Sequence, residues 1–266
     1  MNDDSFSVLN ANIGSMYLWS IKHKLPPLLG NMYASLFSYG KTPLQGLEST
    51  SHLVRQYRPT IVCLQEVYDA EHPSQAQGAQ LEKLVGPLYQ WFVSGAGMEN
   101  RAILVQKNVV NGHGSENIIT SEGVPFGIAY KLNQPMVWVA SVHLRYSNLE
   151  ERKQQLEELL RWVDSKKEPV LLTGDFNTHA AWASIEKKEV AYHTFNVLRD
   201  AGFQNLSESV ACTWRWGKYL PTAGRIKLDH FFGRGVKAVE EPVAVREHLR
   251  GWMDHLALYG AKFVVE

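Results

Sequence analysis

The chain has 266 residues, 45% hydrophobic and 11% aromatic, with 27 basic and 27 acidic side chains and a formal net charge of zero. This content builds a sizeable core and excludes general disorder, and the balanced charge excludes the strongly basic surface of a nucleic-acid-coating protein, so an anionic partner must be met by local patches. Only two cysteines occur, Cys63 and Cys212, both in apolar runs; they exclude the framework of a small disulfide-rich domain and read as buried free thiols.

The opening MNDDSFSVLN lacks a basic segment followed by an apolar one, so no signal peptide is expected. No run of about 18 apolar residues follows, so no membrane span is expected and a cytoplasmic location is the default. Alternation predicts a strand over Phe6–Ile13, reaching Asn12. Residues 15–46 form an apolar, aromatic insert broken by Pro26 and Pro27. A helix is predicted from Pro43 to Gln56, with Pro43 in its first turn. Ile61–Val67 reads as a short strand holding Gln65 and Glu66, and Leu81–Val85 closes a helical piece. Arg101–Gln106, Val124–Leu132 and Met136–Leu144 read as strands of a meander. Leu149–Val163 is a helix, Val170–Thr173 a strand, and Trp182–Ala201 a helix closed by Gly202. Ala211–Trp214, Lys227–Phe232, Val236–Val245 and Leu256–Val265 complete the strands. No linker or repeat divides the chain, which predicts one α+β domain over residues 1–266: two mostly antiparallel sheets face to face, with helices outside.

Polar residues recur where apolar strands end. Asn12 follows FSVLNA, Glu66 follows IVCLQ, His143 follows VWVASV, and Asp175 and Asn177 follow VLLTG; Asp229 stands in IKLDHFF, and Asp254 and His255 precede LALYGAKFVV. A single aspartate of this kind is more often a turn former than a functional group. Six strands with the same habit predict a cluster along one edge. Carboxylates without thiolates favour a hard divalent ion, Mg²⁺ or Mn²⁺. Asp229 is placed to hold the imidazole of His255, Asp175 to orient or deprotonate a water, and His143 and Asn177 to meet phosphate oxygens. The chemistry these residues suit is metal-assisted phosphoester hydrolysis. Gly174 reads as room for a close approach of backbone and substrate.

In order along the chain, LNANI, CLQEV, VHL, GDFN, KLDHFF and MDHLAL resemble the motifs of the endonuclease/exonuclease/phosphatase superfamily, the deoxyribonuclease-I-like proteins. The resemblance spans Asn12 to His255 and implies a four-layer αββα sandwich with divalent-metal phosphoesterase activity. Carried over residue by residue, it implies Glu66, Asn12 and Asp254 at the metal. It implies Asp175 at the attacking water with Asn177 beside it, His255 as catalytic imidazole paired with Asp229, and His143 as a phosphate contact. Met253 stands where serine is usual, and Gly14 where some members carry an acid; the second change favours a one-metal site. Arg152 and Gln155 match a family-like helix and read as structural. His179, His193 and His248 read as surface or packing residues, and strand alternation turns His230 away from Asp229.

Two acid-free segments bear on the substrate. Residues 15–46 carry Lys22, Lys24 and Lys41 among Tyr17, Trp19, Tyr33, Phe37 and Tyr39; residues 213–227 carry Arg215, Lys218, Arg225 and Lys227 among Trp214, Trp216 and Tyr219. In one reading Arg215, Trp214, Trp216 and Lys218 bind nucleic acid, cations on phosphates and rings on bases. In the other, the insert is a membrane-interface device and the substrate a phospholipid, sphingomyelin-like or phosphoinositide-like. Simple packing of the insert on the sandwich is compatible with both. Nucleic acid stands ahead of lipid, and a noncatalytic binding module last, because every main motif acid, amide and histidine is present.

Overall fold

The computed structural model describes residues 4–13, 26, 29, 43–69, 77–94, 97–110, 114–146, 148–178, 185–214, 226–245 and 255–266. In chain order these form β1 (Ser5–Asn12), α1 (Pro43–Tyr57), β2 (Ile61–Asp69), α2 (Gln77–Val85), β3 (Tyr89–Val93), β4 (Gly97–Gln106), β5 (Ser115–Ile119), β6 (Pro125–Asn133) and β7 (Met136–His143). Then follow α3 (Leu149–Asp164), β8 (Val170–Asp175), α4 (Ile185–Asp200), β9 (Gln204–Asn205), β10 (Asp229–Arg234), β11 (Val236–Ala238), β12 (Val243–Val245) and β13 (Ala257–Val265).

Among these, one sheet has seven strands in the order β11-β13-β1-β2-β4-β3, with β12 also on β13; the other has six, β5-β6-β7-β8-β10-β9. The inner faces meet in one core: Phe6, Val8, Ile61, Cys63 and Ile103 from the first sheet against Ile128, Tyr130, Val139, Leu171 and Phe231 from the second. Leu47, Val54, Leu81 and Val85 of α1 and α2 cover the outer face of the first sheet. Leu156, Leu159, Val163 and Leu198 of α3 and α4 cover that of the second. The result is the expected αββα sandwich. Helix α3 starts where Asn148 accepts hydrogen bonds from the amides of Glu150 and Glu151, with those two acids in the first turn complementing the helix dipole. No described helix is long and apolar enough to cross a membrane.

Several sequence expectations are corrected. The strand at Arg101–Gln106 is not part of a meander with the next two: β4 pairs with β2 and β3 in the first sheet, and the meander is β5-β6-β7 in the second. Alternation marks a strand as extended but carries no information about its neighbour. The edge strands β3 and β5 were not anticipated. Val236–Val245 is two short strands, interrupted at Glu240, Glu241 and Pro242, where proline has no amide to donate. Ala211–Trp214 is not a strand; Trp214 makes isolated bridges to Ile226 and His255. Both cysteines are free, Cys63 buried and Cys212 half-buried.

Gly174 has a different purpose from the one expected. Its φ is 140°, and a Cβ there would lie 1.9 Å from the carbonyl oxygen of Val142. The close approach is between β7 and β8, which pair in parallel with Val142 opposite Gly174, and not with substrate. Gly174→Ala is expected to cost about 4 kcal/mol or more, since neither the φ nor the backbone oxygen accommodates a methyl. Urea denaturation measures this; unchanged stability would show that the two strands can part without penalty.

Candidate active site

The topology brings the polar strand ends together. Strands β1 and β2 run parallel, as do β7 and β8, so Asn12, Glu66, His143 and Asp175 share one edge of the sandwich. Strand β10 runs antiparallel to β8, which places its first residue, Asp229, opposite Asp175; β13 runs antiparallel to β1, which brings the preceding His255 to the same edge. His143, Asp175 and Asp229 therefore stand in one row across three strands.

Glu66 is brought in by a local irregularity. The β2–β4 register shifts between Leu64 and Val67, and Glu66 has φ 55°. A bulge adds a residue to one strand and re-aims its side chain, and left-handed backbone outside glycine is held only where surrounding structure enforces it. Asn177 has the same property, with φ 46°. Its backbone amide donates to Asp175 Oδ1 at 2.7 Å, and its side-chain nitrogen donates to the carbonyl of Leu144 at 2.9 Å.

Asp175 is the hub of the cluster and is 1% exposed. The Asn12 amide donates to Asp175 Oδ2 at 3.0 Å and to Glu66 Oε1 at 2.9 Å, holding two carboxylates to one nitrogen. His143 Nε2 lies 3.7 Å from Asp175 Oδ2 and 3.9 Å from Glu66 Oε1; His255 Nε2 lies 3.6 Å from Asp175 Oδ2. Burial raises the Asp175 carboxyl to about 6; neighbouring His255 opposes this, Asp229 adds to it, and the hydrogen bonds from Asn177 and Asn12 oppose it. Burial, together with Arg101 and other nearby cations, pushes His143 well below its ordinary value, so the ring is neutral. Its Nδ1 makes no hydrogen bond among the described residues. A buried N–H without an acceptor is costly, so the neutral ring is best served with its hydrogen on Nε2, facing the carboxylates.

The His255–Asp229 pair is bonded at 2.8 Å between Nδ1 and Oδ2. The carboxylate accepts, so Nδ1 carries the hydrogen and Nε2 is turned toward Asp175. Asp229, 0% exposed, also accepts from the Asn10 amide at 3.3 Å, and its backbone amide donates to the Thr213 hydroxyl. Gln65 donates to Asn10 Oδ1 and to the Ser141 hydroxyl, each at 2.8 Å, which joins the two sheets beneath the site. Sequence reasoning missed Asn10, Gln65 and Ser141. Their signal was present: on the inward-facing alternate positions of β1, Phe6 and Val8 give way to Asn10 and Asn12, and on β7, Val137 and Val139 give way to Ser141 and His143.

Of the expected site residues, the structure gathers Asn12, Glu66, His143, Asp175, Asn177, Asp229 and His255. Trp214 is half-buried and its backbone bridges to His255. Asp254, Arg215, Trp216, Lys218 and nearly all of the 15–46 insert lie outside the described residues. His230 faces away, as alternation required: its Nε2 is 3.0 Å from the Thr178 carbonyl and its ring stacks on Phe232. The ligand-type atoms of Glu66, His143 and Asp175 all fall within 4.8 Å of one another. Two carboxylates facing one another across a single amide nitrogen suit a hard divalent cation, which would offset their repulsion.

A profile of the Endonuclease/Exonuclease/phosphatase family matches residues 31–250. No curated sequence is significantly similar. Among solved structures, the chain superposes on TDP2 from D. rerio complexed with single-strand DNA product, at 18% identity and TM-score 0.69, covering 98% of this chain and 99% of that one. It superposes on an endonuclease/exonuclease/phosphatase from Beutenbergia cavernae at 16% identity and TM-score 0.71, covering 98% of this chain and 72% of that one. A variant of the 3′ phosphatase NExo from Neisseria, bound to a product DNA hairpin, matches at 17% identity and TM-score 0.67, covering 96% of this chain and 98% of that one.

Proposed function

We propose that this chain, which belongs to the endonuclease/exonuclease/phosphatase family and is a phosphoester hydrolase, cleaves phosphodiesters of nucleic acid with the aid of a bound divalent cation, Mg²⁺ or Mn²⁺. The observation that carries the reading is the row His143–Asp175–Asp229, with His255 seated between Asp229 and Asp175. The cation, held by Glu66 with Asp175 or His143 as neighbours, would supply charge to the scissile phosphate. The resemblance adds Asp254 to that site. Asp175 accepts the proton of the attacking water and orients it, with Asn177 fixing the carboxylate from below. His255, held through Nδ1 by Asp229, turns Nε2 toward the site, where its protonated form, stabilised by Asp229, donates to a phosphoryl oxygen. His143 offers an uncharged N–H to a phosphate oxygen, which costs less to bury than a second cation.

The nucleic-acid substrate is supported by the company of the fold: TDP2 and NExo were each solved with DNA product. It is also supported by the composition of residues 213–227, basic and aromatic without an acid, whose Trp214 bridges through its backbone to His255. A panel of single- and double-stranded DNA, RNA, sphingomyelin vesicles, phosphoinositides and small phosphate esters tests it, each with Mg²⁺ and with EDTA. Metal-dependent cleavage of an oligonucleotide is expected. Turnover confined to the lipids would replace this reading, and turnover of none would remove it.

A further inference from the structure

Arg152 of α3 is 2% exposed. Among the described residues its guanidinium forms no ion pair, and the nearby Asp175 carboxylate acts on it only through longer-range attraction. A buried cation without an ion-pair partner costs several kcal/mol unless its donors are met, and a hydrophobic residue at this helix position would avoid that cost. The donors are met almost wholly by backbone. Nη1 donates to the carbonyls of Phe176 and Asn177, each at 2.9 Å, and to the Thr178 hydroxyl at 2.6 Å. Nη2 donates to the carbonyl of Arg145. Gln155, on the same helix, accepts from the Arg145 amide at 2.7 Å.

The acceptors belong to two different loops. Phe176, Asn177 and Thr178 follow Asp175 at the end of β8, and Arg145 stands two residues beyond His143 at the end of β7. One side chain thus ties together the segments leaving both strands, including Asn177 with its left-handed φ. We propose that Arg152 is a positioning residue, a buried fork that clamps the two loops and thereby sets the spacing between His143 and Asp175. The role rests on the hydrolytic reading of those two residues. Guanidinium suits it because its donors diverge from a rigid plane; an ammonium at the end of a flexible stem reaches one loop but cannot span both.

The test uses the full-length protein and the best substrate from the panel. Arg152→Lys is expected to lower kcat about 10- to 100-fold with KM within about threefold, because displacement of about 1 Å at reacting groups costs rate more than binding. Arg152→Ala is expected to recover part of its kcat in guanidinium chloride at tens of millimolar, but not in equal ammonium chloride. A purely structural arginine would instead leave kcat per folded molecule unchanged while urea stability falls, and that result overturns the clamp. A crystal structure of Arg152→Lys reads the proposal without any assay: loops at Arg145 and Asn177 that keep their places overturn it, even if the parent protein cleaves none of the panel. Displaced loops in a protein with no measurable turnover would uphold the clamp and remove the hydrolytic reading alone.

Discussion

Asp175→Asn is expected to abolish metal-dependent turnover and, in metal-free protein, to reverse a pH-dependent penalty on stability. The activity loss follows from removing a fully buried carboxylate that, alone among the described residues, faces both His143 and His255, and general-base contributions are worth about 10²–10⁴-fold. The stability effect follows from burial. The Asp175 carboxyl is raised from 3.8 to about 6 in the folded protein. Below about pH 4 it is neutral in both folded and unfolded chains, and the folded state has its full advantage. As pH rises from 4 to 6 the unfolded chain releases the proton first, so that advantage is lost. Above about pH 6 the folded protein bears an ionised buried group at a cost on the order of 3 kcal/mol. Asparagine does not titrate, so the stability of the variant minus that of the parent should grow by about this amount between pH 4 and pH 8. Any pH-independent cost of altered hydrogen bonds cancels in that difference. Urea denaturation in EDTA at the two pH values measures it. A constant difference would show that Asp175 is not the buried acid of this site, and retained turnover would remove it from the chemistry.

His255→Ala and Asp229→Asn are each expected to lower kcat by about 10²–10⁴-fold, and the double variant by little more than the worse single one. The reason is serial dependence. Asp229 acts on the reaction only by holding Nδ1 of His255 at 2.8 Å, so once the ring is gone the carboxylate has nothing to orient. The four proteins form a cycle, read as kcat on the same substrate. Multiplying effects would mean that Asp229 reaches the phosphate independently and that the pairing is incidental. Removing the ring also leaves Asp229 buried with only the Asn10 amide on its side chain among the described contacts, so His255→Ala should lose about 1–3 kcal/mol of stability. Activity is therefore compared at a temperature where both proteins are folded.

Most of the sandwich and most of the site were legible in the residues. The strands at Phe6, Ile61 and Val170 each carried an apolar inner row and led into a group now found in the cluster, and the strand at Lys227 enters the sheet at its cluster residue, Asp229. His230 shows the same logic in reverse, since alternation alone turned it from its neighbour Asp229 toward Thr178. Asn10, Gln65 and Ser141 are less conspicuous in the sequence because each precedes the cluster residue of its strand, Asn10 and Ser141 by two positions and Gln65 by one, and the polar network they form lies inside the sheets. The strands β3 and β5 were overlooked because short edge segments carry weak alternation.

Residue order and chemistry were enough to predict that Asn12, Glu66, His143, Asp175, Asp229 and His255 would meet at the ends of strands, because two-residue periodicity and ligand type are local properties. Pairing was not local. Only the assembled fold decided that β4 leaves the meander for the other sheet, since extended backbone accepts any neighbour with the right register. Only the fold showed that Gly174 makes room for the Val142 carbonyl rather than for substrate, because that oxygen arrives from a strand 32 residues earlier in the chain. The bulge at Glu66 and the two-loop grip of Arg152 likewise depend on partners distant in sequence, and these set the distances on which the chemistry rests.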